Sequence, residues 1–163
     1  MKWMLPIALA TIAVVAGTSV AILVLDVGLR GIVSVPYRVF DIDVVVDRES
    51  GMVSYDLGMI EVPDGSVIAK VALLEREGNF SIVVNGVLTL ESENKAYVIE
   101  MPCMVVIGTS CYRIMAIIPG WDAPMPIEEG TYEVSLKLTW NKASGSGRFY
   151  AKLYLVHIQK DKS

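Results

Sequence analysis

The stretch Gly130–Trp140, GTYEVSLKLTW, alternates without a break: Val134, Leu136, Leu138 and Trp140 fall on one side, Glu133, Ser135, Lys137 and Thr139 on the other. Successive side chains of an extended chain point to opposite faces, so this pattern predicts a strand with one face buried and one in water. Arg148–His157 repeats it, with Phe149, Ala151, Leu153 and Leu155 facing in. Between the two lies Asn141–Gly147, NKASGSG, whose small polar residues predict a flexible hairpin loop.

Working outward, the same grammar recurs. Val35 to Asp47 places Phe40, Ile42, Val44 and Val46 on one face and Asp41, Asp43 and Asp47 on the other. Arg48-Glu49-Ser50-Gly51 turns it into Met52 to Glu61, and Pro63-Asp64-Gly65 is a turn whose residues supply a fixed φ, a local side-chain hydrogen bond and a φ above zero. Ser66 to Glu75 and Phe80 to Leu90 follow, separated by Arg76-Glu77-Gly78-Asn79; Ala96 to Ile107 and Cys111 to Ile118 then form a hairpin. About eight short strands with turn signals every 8–12 residues or so indicate a mainly β, antiparallel two-sheet sandwich, jelly-roll or immunoglobulin-like. No helix of usual length is needed after residue 34, and only Lys160–Ser163 reads as a frayed tail.

The opening residues are different in kind. Trp3 to Leu25 carries 23 residues without a charge, behind Met1 and Lys2 and ahead of Asp26 and Arg30. As a helix it reaches roughly 34 Å at about 1.5 Å per residue, enough to cross a bilayer core. Residues 1–31 are therefore expected to be one hydrophobic helix, a transmembrane anchor or signal segment, and 32–163 an extracytoplasmic domain. Lys2 before the run and Asp26 after it favour an exported domain. Two readings of the leader stay open. Continued apolar sequence from Val20 to Leu25 favours an uncleaved anchor, whereas Val15-Ala16-Gly17 offers a cleavage site. Cleavage would leave Thr18 to Leu25 as a free apolar arm, which water would drive into a partner's sheet. No lipobox cysteine points to a lipid anchor.

Charge excludes some partners. With Lys2, Asp26 and Arg30 set aside, the rest of the chain carries 12 Lys and Arg against 17 Asp and Glu, the wrong balance for nucleic acid or anionic lipid head groups. One Gln in the chain, with plentiful Ile, Val and Glu, leans toward a thermophilic source.

Chemistry-bearing residues are few. His157 is the only histidine, Cys103 and Cys111 lack zinc spacing, and the glycines fall singly in turns rather than in a phosphate-cradling loop. The expectation is a protein that is not an enzyme, with no small-molecule substrate and no cofactor. Calcium is the exception worth weighing: Asp41, Asp43 and Asp47, with Glu49 just beyond, share one strand face and offer oxygens, although a solvated or protective charged face explains them equally well. Cys103 and Cys111 are either a disulfide bridging the predicted hairpin or two buried thiols. Asn79-Phe80-Ser81 is a glycosylation sequon, and Gly78-Asn79 puts it on a predicted surface loop. In the long connection Pro119–Glu129, Trp121 and Met125 form an adhesive knob if exposed, or plug the end of the fold if they turn back. Tyr112, Tyr132, Tyr150 and Tyr154 offer an aromatic carbohydrate platform as one reading, although alternation puts Tyr132, Tyr150 and Tyr154 on an outward face, where β-propensity alone accounts for them.

Several segments carry a resemblance. The apolar N-terminus, Tyr55-Asp56-Leu57-Gly58-Met59-Ile60 leading through Pro63-Asp64-Gly65-Ser66, then Gly78-Asn79-Phe80-Ser81-Ile82 and Gly130-Thr131-Tyr132-Glu133-Val134, is similar to TasA-type biofilm-fibre subunits and archaeal bundling-pilus subunits. The resemblance implies a jelly-roll-like subunit whose N-terminal strand completes the sheet of the next copy. In architecture the chain also resembles monotopic archaellum-motor accessory proteins whose β-sandwich contacts the surface layer. The resulting expectation is a membrane-held or secreted cell-surface subunit that associates with a protein partner, possible self-association included; a membrane-anchored glycan- or calcium-binding module is the alternative.

Overall fold

The computed structural model describes residues 36–113 and 116–159. The predicted leader, residues 1–31, and the tail Lys160–Ser163 lie outside the described residues. Among the described residues there is no helix, and so none long and apolar enough to cross a membrane.

The chain is mainly β. Six strands form one antiparallel sheet: β1 (Pro36–Val46), β2 (Ser50–Val62), β3 (Gly65–Glu91), β4 (Ala96–Ile107), β5 (Met125–Ile127) and β6 (Gly130–Gln159). Two long strands organise it. β3 pairs with β6 along its whole length, from Gly65 opposite Gln159 to Glu91 opposite Glu133. On the other side of β6, β1 covers its second half and β2 its first, while β4 and β5 flank the two ends of β3.

The expected strand pairs therefore merge. Ser66–Glu75 and Phe80–Leu90 are one strand, and so are Gly130–Trp140 and Arg148–His157; Asn141–Gly147 is not a hairpin loop. A hairpin would pair the two halves of β6 with each other, whereas each pairs with a half of β3. The glycines serve a different purpose here. A Cβ at Gly145 would overlap the Asn79 carbonyl oxygen, and one at Gly147 would overlap the Glu77 carbonyl oxygen, so their missing side chains let two backbones pass closely where both strands bend. Register shifts between Leu73 and Glu75 and between Ser81 and Ile82 bracket the same bend.

Bending carries the sheet round on itself until it is nearly a barrel. Val62 lies opposite Gly130 and Gly65 opposite Gln159, so the two ends of β6 flank the short Pro63–Asp64 connection. His157 Nε2 sits 3.0 Å from the Pro63 carbonyl oxygen, tying the end of β6 to that connection. The inward residues form one cluster: Ile42, Val44 and Val46 from β1, Val67 and Ala69 from the start of β3, Leu88 and Leu90 from its end, and Leu136, Leu138, Phe149 and Leu153 from β6. Full burial of a Leu or Phe side chain contributes about 1.5–3 kcal/mol, so this shared interior rather than any single element holds the fold.

Two further expectations fail. The described residues of Cys111–Ile118 form no strand; Asp122 organises part of the segment instead, accepting the Ile118 N–H at 2.9 Å and pairing with Arg113. Tyr132, expected outward, is 2% exposed: it shares the parity of Val134, and its hydroxyl donates to the Glu128 carbonyl at 2.8 Å. Tyr150 and Tyr154 are half-buried on the outer face.

Candidate interaction surfaces

A bent sheet that stops short of closing has edges, and the chemistry at those edges differs. β1 and β2 share a neighbour in β6 and pair with no other strand among the described residues. Their free edges approach across a seam that is bridged by side chains. Tyr55 on β2 donates its hydroxyl to the Asp43 carbonyl on β1 at 2.7 Å, and Tyr37 on β1 donates in the opposite direction to the Glu61 carbonyl on β2. Burial pushes the Tyr55 phenol above its ordinary pKa, so it remains a donor at neutral pH. Each bond occupies a carbonyl that an incoming strand would otherwise use.

The acidic residues line this region. Asp43 is gripped by Arg148 from β6, with Nε 2.6 Å from Oδ1 and a second nitrogen on Oδ2, and the guanidinium holds its carboxyl below the usual range. The same guanidinium lies 4.8 Å over the Tyr150 ring. Asp41 faces Lys152 at 3.4 Å, and Asp47 lies 3.7 Å from Arg48. Asp41 and Asp43 thus share a face as predicted, each with a cation from the adjacent strand, while Asp47 and Glu49 fall at the corner between β1 and β2. Among the described residues no three His, Cys, Asp or Glu side chains converge to hold a metal ion. A groove at this corner, lined by Asp43, Asp47, Arg48, Gly51 and Met52 among others, also meets Trp140. The Trp140 indole N–H is buried without a partner, but it is a donor and adds nothing to cation binding.

The β4 side is built differently. β3 is the only strand partner of β4 among the described residues, so its outer edge carries no ladder. Between Val84 and Gly86 the β3–β4 register shifts by a bulge at Pro102–Met104. Cys103 there has φ +54°, and its N–H donates to Asn85 Oδ1 at 2.9 Å. Cys103 and Cys111 lie at disulfide distance, Cα atoms 6.0 Å apart, joining this bulge to the following loop rather than bridging a hairpin. Beyond Arg113, which pairs with Asp122, the loop reaches Gly120, whose carbonyl accepts the Ala69 N–H at 2.6 Å. Trp121 and Met125, which the sequence leaves open between an exposed knob and a turned-back plug, are half-buried and pack against the core; Met125 lies opposite Val67 in β5. Exposure falls instead on Tyr112, at 94%, and Ile117, at 79%.

Asn79 is exposed, but on β3 at the bend rather than on a loop. His157 is half-buried with its ring 5.9 Å from that of Tyr37. The sequence had no signal for Tyr37 or Tyr55 as bridging residues. Asn85 had one: a lone polar residue inside Val83-Val84-Asn85-Gly86-Val87 marks an interrupted strand. No family model, curated protein or solved structure matches this chain.

Proposed function

We propose that the protein is a non-catalytic cell-surface structural or protein-interaction subunit, held at the membrane or released by its leader, that associates through a sheet edge. The observation that carries this reading is the asymmetry of the edges. The β1 and β2 edges are occupied by tyrosine hydroxyls, whereas the regular part of β4, Ala96–Met101, presents unladdered backbone and the exposed Val98. An unladdered edge is a template for another strand. Reading the bent sheet as two facing sheets of a sandwich is supported by the single cluster that both halves of β3 and β6 line. The sharpest form of the proposal is a filament in which Thr18–Leu25 of one copy pairs with β4 of the next, in the manner of the fibre subunits that the sequence resembles.

Two measurements on protein from its native membrane test this. N-terminal sequencing should begin near Thr18 if the arm is freed, and electron microscopy should show regular polymers. Dispersed single particles would remove the filament. Polymers that persist after deletion of Thr18–Leu25 would remove the arm as the joining element.

A further inference from the structure

The sequon Asn79-Phe80-Ser81 sits where its three residues have opposite fates. Asn79 is exposed, Phe80 is 3% exposed within the core, and the Ser81 hydroxyl donates to the Gly108 carbonyl at 2.8 Å. All three are paired with β6, opposite Ser146, Gly145 and Ser144. On the far side, β3 has no strand partner among the described residues between its pairing with β5, which ends at Val67, and its pairing with β4, which starts at Ile82. Asn79 therefore stands on an open stretch of edge that also carries the exposed Leu73 and Leu74.

We propose that Asn79 is an N-glycosylation site modified before the chain folds, and that its glycan shields this stretch of β3 from lateral pairing. The inference rests on the exported reading. The donor is an oligosaccharide linked to a polyprenyl phosphate. The bond from its anomeric carbon to Asn79 Nδ2 forms, the bond from that carbon to the phosphate oxygen breaks, the lipid phosphate leaves with the electron pair, and one amide proton passes to a base of the transferase.

Timing follows from the geometry. A transferase that selects Asn-x-Ser must read the serine hydroxyl and hold the three residues as a free peptide. In the folded chain Phe80 is locked in the core and the Ser81 hydroxyl is committed to Gly108. The unfolded chain meets both demands. Once attached, a glycan on Asn79 projects outward and displaces neither contact. A bulky hydrophilic group at that position then does for β3 what Tyr37 and Tyr55 do for the opposite seam.

The test has two arms. Peptide mapping of the protein from its native membrane should find the Asn79 peptide carrying a glycan, lost in Asn79→Gln and retained in Ser81→Thr; an unmodified native peptide overturns the site. In the second arm, a purified oligosaccharyl transferase and its lipid-linked donor act on a synthetic peptide of residues 75–84 and on the folded, unmodified full chain. The peptide should be modified, and the folded chain at least about tenfold more slowly, because only locally opened molecules present the sequon. A peptide left unmodified overturns the acceptor, and equal rates overturn the timing. Glycosylated but dispersed protein would sink the association reading alone, and unglycosylated polymers would sink this one alone.

Discussion

The seam between β1 and β2 and the outer side of β4 are two places where this sheet ends among the described residues, and they are finished by different means. At the seam, two tyrosine hydroxyls reach across in opposite directions to main-chain carbonyls. Beside β4, a bulge stabilised by Asn85 is tied through Cys103 and Cys111 to a loop that stays largely in solvent. The first arrangement consumes edge acceptors; the second disrupts the ladder only at Pro102–Met104 and leaves Ala96–Met101 regular. A protein can thus close one edge and keep another available, and the difference lies in a few side chains rather than in strand order.

The bend is common to both edges, so the largest expected effect erases the comparison altogether. Gly145→Val would drive a branched side chain into the Asn79 carbonyl oxygen, at a residue with φ +72°. Overpacking against backbone costs about 1–3 kcal/mol or more, and the unfavourable φ adds about 1–2. Thermal unfolding should show a single early transition or no folded protein. A variant melting like the parent would mean that the bend does not need the close approach.

Next in size is the β4 side. Replacing Cys103 and Cys111 with serine together should lower stability by about 2–3 kcal/mol, the loop-closure contribution of so short a ring. Protection against hydrogen exchange should fall around Pro102–Arg113 and stay unchanged at the seam. Equal loss on both sides would show that the edges are coupled through the core.

At the seam, Tyr37→Phe with Tyr55→Phe keeps both rings against the core and removes only the hydroxyls. Each net hydrogen bond contributes about 0.5–1.5 kcal/mol, so the pair should cost about 1–3. The more telling readout is association. Sedimentation should show the double variant self-associating more than the parent, because two edge carbonyls have become free. Unchanged sedimentation would deny the tyrosines their guarding role.

Much of this architecture was legible from alternation alone. Six of the eight expected strand segments lie within observed strands, and the period of two selected Ile42, Val44 and Val46 on β1 and most of the inward set on β6, missing the buried Tyr132 and Val156. What alternation could not report was continuity. Gly78, Gly145 and Gly147 look the same in sequence whether they turn a hairpin or let two backbones pass at a bend, and the difference appears only when the partner strand is known. The acidic face was visible as a pattern, but the cations opposite it came from a strand more than a hundred residues away in sequence. The seam was hidden for a related reason: Tyr37 and Tyr55 occupy ordinary strand positions, and their partners are main-chain carbonyls, which carry no residue identity.

The smallest expected difference between the two sides is their response to acid. Asp43 on β1 and Asp122 in the loop after β4 are each held below the ordinary carboxylate value of 3.8, in both cases chiefly by a hydrogen-bonding arginine, Arg148 and Arg113 respectively. A depressed folded pKa contributes stability that is complete above the unfolded value and is lost as pH falls through the folded one. The melting temperature should therefore hold from neutrality to about pH 5 and decline below about pH 4, the ordinary carboxylate range. Both pairs are partly exposed to solvent, so the decline from either is modest and shrinks with salt. The two sites separate by their neighbours. Asp122 also accepts the Ile118 N–H, so protonating it loosens loop backbone, whereas the Asp43 carboxylate accepts hydrogen bonds from Arg148 alone among the described residues. Exchange at pH 3 should accordingly rise first at the Ile118 amide, and Asp122→Asn should reproduce that rise at neutral pH while Asp43→Asn leaves it unmoved. If both substitutions raised exchange at Ile118 alike, the loop and the seam would be one cooperative unit, and the contrast between the two edges would be one of appearance only.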